Sequence, residues 1–177
     1  MAGVFWGNKE TDPKRKFRWV VLFTGGASAG DGNVIQLAAK SIDKPKFEIS
    51  TTEHMFINHT YNFPGRGKWN EISTTLVDIG GDRDVTSIIN SLILGSGYAT
   101  PDDPASSLQS ITKEQSVDIF GANFQIQQID AEGVVVEAWK LFNPWVRNVE
   151  FGSLDYTSEE LVEISLTIVY DYAKKVV

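Results

Sequence analysis

The sequence has no cysteine. That absence excludes disulfides, thiolate metal sites and thiol nucleophiles, and it fits a reducing cytoplasm. Histidine is nearly missing too: His54 and His59 are the only two, with Glu53 beside them. Their five-residue separation would not bring both to one metal on a helix, and a single strand would turn them to opposite sides. Zinc needs three or four convergent ligands, so two exposed loop histidines are the simpler reading and no metal site is expected. No stretch approaches the roughly 18 consecutive apolar residues of a membrane span. The opening MAGVFWGNKETDPKRKFR has no apolar core ahead of a cleavage site. The expectation is a soluble chain without a membrane anchor or cleaved signal. Positive charge is also short, 16 Lys and Arg against 23 Asp and Glu, a net charge of −7. Tight phosphate binding draws its affinity from cations that release counterions, so a nucleic acid passing this surface should not stick to it.

At 177 residues, 42% hydrophobic and 22% charged, the chain has globular composition. It is expected to form one domain, 1–177, with a flexible N-terminal arm over about 1–15. Phe17 to Phe23 (FRWVVLF) reads as a strand by its β-branched and aromatic content, and GGASAGDGN as a loop. Val34 to Lys40 suits strand or short helix by periodicity; a hairpin return strand is the expectation. Asp43 to Met55 mixes proline, charge and short apolar runs and reads as an irregular excursion. Phe56 to Phe63 is extended, and Pro64 to Gly67 breaks it. Lys68 to Ile79 reads as a long strand with a possible bulge. Asp82 as N-cap, Val85, Ile88, Ile89 and Leu92 at helical spacing, and Gly95 as a left-handed cap predict one helix. Gly95 to Thr112 is a long loop. Ser116 to Ile129, interrupted near Gly121, and Val134 to Phe142 read as strands joined through Asp-Ala-Glu-Gly. In LVEISLTIVYDY, Leu161 to Tyr172, residues Val162, Ile164, Leu166, Ile168, Tyr170 and Tyr172 alternate with Glu163, Ser165, Thr167 and Asp171, which predicts one long two-faced strand. The expected class is mainly β, α+β: an antiparallel sandwich or barrel with one flanking helix.

No set of residues converges on catalysis. VVLFTGGASAGDG has a strand running into glycines, but Ala29 and Asp31 stand where a nucleotide-binding turn needs glycine, and the chain is short for a βαβ array. Glu159 with Glu160 and Asp102 with Asp103 are adjacent acids of the solvated kind. No enzyme activity and no cofactor are expected. Interfaces are the better candidates. Lys14, Arg15 and Lys16 form a basic run suited to docking on an acidic neighbouring copy. Lys44, Lys46 and Phe47 lie in the irregular excursion. Trp69 and Trp139 read as core, whereas Trp145, just past a proline in FNPWVRN, fits either core or an interface anchor.

The order of FRWVVLF…NVIQLAAKSIDKP, FINHTYNFPGRGKWNEISTTLVDIGGDRDVTSIINSL and KLFNPWVRNVEFGSLDYTSEELVEISLTIVYDY resembles the tail tube proteins of contractile-tailed bacteriophages, a fold shared with the hemolysin-coregulated protein of type VI secretion. The resemblance runs from about Phe17 to Tyr172 and rests on the order of the whole. It implies homohexameric rings stacked into a hollow conduit for genome ejection, with strands of each subunit joined into a continuous barrel inside a contractile sheath. It implies partners: further copies of the chain, the tail sheath protein, a baseplate tube initiator, and a tape measure protein and DNA that pass without specific binding. The location is the virion tail, assembled in the host cytoplasm. A baseplate initiator, a type VI-like secreted tube or a small β-rich ligand-binding domain are the alternatives. On this reading Glu163, Ser165, Thr167 and Asp171 face the lumen, and Lys14, Arg15, Lys16, Lys44, Lys46, Phe47 and Trp145 serve contacts between subunits and rings. The longer N-terminal arm and the Gly95 to Thr112 loop depart from the compact family pattern.

Overall fold

The computed structural model describes residues 13–26, 31–81, 84–102, 110–121 and 124–177, residue 33 by its backbone only. Residues 1–12 of the proposed N-terminal arm, Asp82 and residues 27–30 of the glycine-rich loop lie outside these ranges. Among the described residues the elements run β1 (Trp19–Leu22), α1 (Asp31–Ala38), β2 (Ala39–Ile42), β3 (Lys46–Phe56), β4 (His59–Asn70), β5 (Ile72–Val77), α2 (Val85–Gly95), α3 (Lys113–Phe120), β6 (Phe124–Ile129), β7 (Val135–Phe142), β8 (Trp145–Glu150), β9 (Glu163–Val169) and β10 (Tyr172–Lys175).

The mainly antiparallel β class is as expected from the sequence, but among the described residues the strands form two open four-stranded sheets and no closed barrel. Sheet A has the order β1-β6-β7-β10, sheet B the order β2-β5-β9-β8, and β3-β4 stands apart as a two-stranded ribbon. One core joins them: Val21, Ile126 and Leu141 from sheet A, and Ile72, Leu76, Ile164, Leu166 and Ile168 from sheet B. Ile35, Ile88, Ile89, Leu92 and Phe120 come from the helices. Trp69 and Trp139 are half-buried and pack against this core, their rings 6.5 Å apart.

Among the described residues three helices stand where one was expected. Val34 to Lys40 is not a hairpin return strand: Ile35 and Ala38 are buried and Val34 packs beside them, a helical spacing that seals the gap between β1 and β5, and the chain turns extended only at Ala39. Ser116 to Phe120 is not strand either. Thr112 and Gln115 form a capping pair, the Thr112 hydroxyl accepting from the Gln115 backbone N–H at 3.3 Å. Ser116 and Phe120, one turn apart, are the buried face of α3. Gly121 ends it at φ 91°, where a Cβ would collide with the Gly25 backbone. In α2 the N-cap is Asp84, accepting from Ser87 N–H at 3.2 Å. The left-handed residue after it is Gly97, at φ 98°, rather than Gly95, whose missing side chain lets Ile119 of α3 approach.

The irregular excursion is the long ribbon β3-β4, and Pro64 to Gly67 does not break it. A register shift between Ile49 and Thr51 absorbs the extra residues. There Ser50 Oγ accepts from Arg66 N–H at 2.9 Å, and a Cβ on Gly65 would lie 2.3 Å from that oxygen. The segment Lys68 to Ile79 divides likewise, Trp69 closing the ribbon against Phe47 while Ile72–Val77 enters sheet B. The closing strand is two strands. Ile164, Leu166 and Ile168 are buried as the alternation requires, but the chain leaves sheet B at Tyr170 and pairs in sheet A from Tyr172, Asp171 N–H donating to Phe142 O at 3.0 Å.

Candidate functional site: the exposed faces of the two-sheet frame

Four surfaces carry polarity or apolar exposure that the core does not explain. The first is the outward face of sheet B. Because β9 alternates, its buried Ile164, Leu166 and Ile168 leave Glu163, Ser165 and Thr167 on the other side, opposite Val77, Thr75 and Ser73 of β5. Ser165 also faces Glu150 of β8, and Asn148 faces Thr167. The wall is thus mostly hydroxyl and amide. Of its two acids, Glu163 is ion-paired with Lys40 of β2, a partner that raises the Lys40 pKa, and Glu150 accepts from Asn148 Nδ2 at 3.1 Å. Asp171 does not join this row. It lies at the β9-β10 corner, where Asn143 Nδ2 donates to it at 2.7 Å and Lys113 Nζ at 2.7 and 2.8 Å. These partners hold its carboxyl below the usual range.

The second surface is the flank where the edge strands β1 and β2 diverge around a cavity of about 650 Å³ lined by Lys14, Lys16, Lys44, Gln128, Glu137 and Trp139, among others. Glu137 is its electrostatic centre. Lys14 pairs with it, Lys44 Nζ donates to it at 2.8 Å and to Gln128 Oε1 at 2.8 Å, and Trp139 Nε1 donates at 2.7 Å. Led by the Lys14 and Lys44 hydrogen bonds, these donors pull the Glu137 carboxyl down to about 2. Gln128 Nε2 donates to Arg15 O at 3.1 Å, tying the basic run to β6. A lowered carboxylate stabilises the fold above its unfolded value and loses that contribution as pH falls. Glu137→Gln is therefore expected to cost about 1.5–3 kcal/mol at neutral pH, the range for hydrogen bonds to a charged group. The gap between variant and parent should close between about pH 4.5 and 2 in thermal melts.

The third surface is the ribbon β3-β4. Its register places Thr52, His54 and Phe56 opposite Phe63, Tyr61 and His59, all on one face. Both histidines therefore share a side, contrary to the single-strand expectation, because they sit on paired strands. Phe56, Tyr61 and Phe63 are exposed, the His59 and Tyr61 rings meet edge-on at 4.7 Å, and the tip residue Ile57 stands at φ 51° with 85% of its surface exposed. Among the described residues no group of three or more His, Cys, Asp or Glu is placed to hold a metal ion.

The fourth is the opposite flank, where an apolar groove of about 350 Å³ runs between α2, α3 and the edge strand β8. Trp145, left open by the sequence, lines it half-buried. The residues expected at subunit contacts thus fall in three places. Lys14, Lys16 and Lys44 converge on the cavity flank, with Arg15 tied to it through Gln128. Lys46, paired with Asp43 at 2.8 Å, and Phe47, its ring 5.0 Å from that of Trp69, mark the ribbon base. Trp145 lies on the far flank. Sequence reasoning missed Phe56, Tyr61 and Phe63 as a set, although the extended alternation of Phe56 to Phe63 was its trace.

No protein-family model matches the sequence, and a search of curated proteins finds no match. Solved structures do share the fold. A chain of the anti-feeding prophage baseplate superposes with a TM-score of 0.64 at 13% identity, over 94% of this chain and 97% of that one. A chain of the sheath-tube complex of the PVC extracellular contractile injection system gives 0.61 at 16%, over 92% and 90%. A chain of the anti-feeding prophage tube-terminating cap gives 0.59 at 16%, over 93% and 91%. The chain has the tail-tube-like fold of these contractile injection systems. No helix among the described residues is long and apolar enough to cross a membrane.

Proposed function

We propose that this protein is a structural, non-enzymatic subunit of the tube in a contractile, phage-tail-like particle. The observation that carries the reading is the near full-length fold agreement with a chain from a sheath-tube complex. The whole chain then acts as one tube domain. Homohexameric rings stack into a hollow conduit, sheet B turned inward with Glu163, Ser165 and Thr167 on the wall. The ribbon, with Lys46 and Phe47 at its base, reaches the next ring. The outer surface meets the sheath, a tape measure protein and DNA pass through the lumen, and the assembled particle is where the protein resides. Sedimentation at tens of micromolar should show rings or stacks; a 19.6 kDa species alone would overturn the reading.

Agreement with baseplate and cap chains supports a second reading, a ring that starts or ends the tube. A tube subunit propagates into rods of indefinite length, whereas an initiator or terminator stops at one or two rings. The length distribution of assemblies from purified protein separates the two.

A further inference from the structure

The inward face of sheet A departs from its own pattern at one end. Register aligns Val21, Ile126 and Trp139 in one row across β1, β6 and β7, and Trp19, Gln128 and Glu137 in the next row on the same side. Phe124, Ile126 and Leu141 of that side are buried core. Two neighbouring strands thus carry an amide and a carboxylate where alternation calls for apolar residues. A charge in such a position costs stability unless donors surround it, and a break in patterning that the fold itself does not need points to a site.

What these two residues hold is a pair of ammonium groups in the cavity on this flank. Lys14 sits on Oε2 of Glu137, while Lys44 Nζ lies 2.8 Å from Oε1 of Glu137 and 2.8 Å from Oε1 of Gln128. The anchors are mostly buried and the lysines half-exposed. Trp139 Nε1 also donates to Oε1 of Glu137, so both carboxylate oxygens are covered and Glu137 positions the lysines without repelling an anion beside them. Lys16 lines the same cavity and makes no ion pair among the described residues. Lys40 and Asp43, also on the lining, are matched by Glu163 and Lys46. Three ammonium groups, Lys14, Lys16 and Lys44, then face the one carboxylate of Glu137, which leaves two positive charges uncompensated in a chain of net charge −7.

The remaining walls are apolar. Trp19, Ile42 and Trp139 pack on the core with one side and line the cavity with the other. The Trp139 indole is fixed twice, by its N–H on Glu137 and by the Trp69 ring that meets it edge-on. At about 650 Å³ the cavity has the size and the make-up of sites for small organic ligands, apolar walls with a few convergent polar groups.

We infer that this cavity binds a small organic anion, a carboxylate or sulfonate on a flat apolar body. The anionic group lies among Lys14, Lys16 and Lys44, and the body lies against Trp19, Ile42 and Trp139. An inorganic anion lacks the body and a neutral aromatic lacks the charge, so each forfeits half of the site. The inference goes beyond the tube reading and does not depend on it.

The test uses the full chain and 2-naphthoate as the probe, with binding read by titration calorimetry and by the rise of the melting temperature with probe concentration. Saturation at one naphthoate per chain is expected. Acetate, which carries only the charge, and 2-naphthalenemethanol, which carries only the body, should each bind at least about tenfold more weakly. Lys16→Glu removes the uncompensated charge and should weaken naphthoate binding at least about tenfold. Because Lys16 has no ion pair to lose, the melting temperature of the free variant should stay within about 2 °C of the parent. Lys174→Glu makes the same change of net charge on β10, at the far edge of sheet A, and should leave binding within about twofold. No saturable binding at millimolar naphthoate, equal binding of 2-naphthalenemethanol, or an equal loss with Lys174→Glu would overturn the inference.

Discussion

Replacing Phe56, Tyr61 and Phe63 together with aspartate is expected to abolish assembly while the two-sheet frame stays folded. All three rings are exposed, on one face of the β3-β4 ribbon, and none belongs to the core. Removing them therefore leaves the packing of Ile72, Leu76, Leu141 and Ile164 untouched, and the melting temperature should move by only about 2 °C, as for surface substitutions of a few tenths of a kcal/mol. A contact that buries these rings loses roughly 1.5–3 kcal/mol for each and must also desolvate a carboxylate. Every 1.4 kcal/mol is tenfold in affinity, so the concentration for assembly should rise by more than about a hundredfold. Light scattering against concentration, with circular dichroism as the folding control, measures both halves. Unchanged assembly would show that the ribbon face is free in the particle.

The second large effect concerns the wall of sheet B. Ser165→Lys with Thr167→Lys places two cations per copy where hydroxyls now stand; Lys40 already neutralises Glu163, and Glu150, opposite Ser165, offsets only one of the two. Assembled tubes should then retain a short DNA duplex at low salt. Each new phosphate contact steepens the dependence of log affinity on log salt by about 0.9. The matched control is Gln125→Lys with Gln127→Lys on the outward face of β6, in sheet A. Retention by the sheet B variant alone places that face on the channel. Retention by the sheet A variant alone reverses the assignment and makes β6 and β7 the wall.

The proposed conduit thus differs from the acidic channel implied by LVEISLTIVYDY alone. Alternation was legible there because period two survives whatever the strand pairs with, and Ile164, Leu166 and Ile168 are buried as it requires. What a strand pairs with across 123 residues is not written in its own pattern: Lys40 reaches Glu163, and Lys14 reaches Glu137, only after folding. Nor does alternation say where a strand changes sheets, so Asp171 was grouped with residues it does not join. The ribbon was obscured by its bulge, since Pro64, Gly65 and Gly67 read as a stop while the fold uses the missing side chains of Gly65 and Gly67 to cross Ser50 and Phe47. Helix α2 was legible from four apolar residues at one spacing. Helices α1 and α3, each eight residues with a narrow buried stripe, looked like strands because packing against neighbours decides short segments. The cap Thr112 and Gln115 was the available sign for α3.

Electron microscopy of the purified chain at tens of micromolar tests the central claim most directly. The expected image is stacked rings with a continuous central channel, in whose averaged map sheet B forms the inner wall and the β3-β4 ribbon bridges successive rings. Dispersed single subunits, or closed particles without a channel, would contradict it.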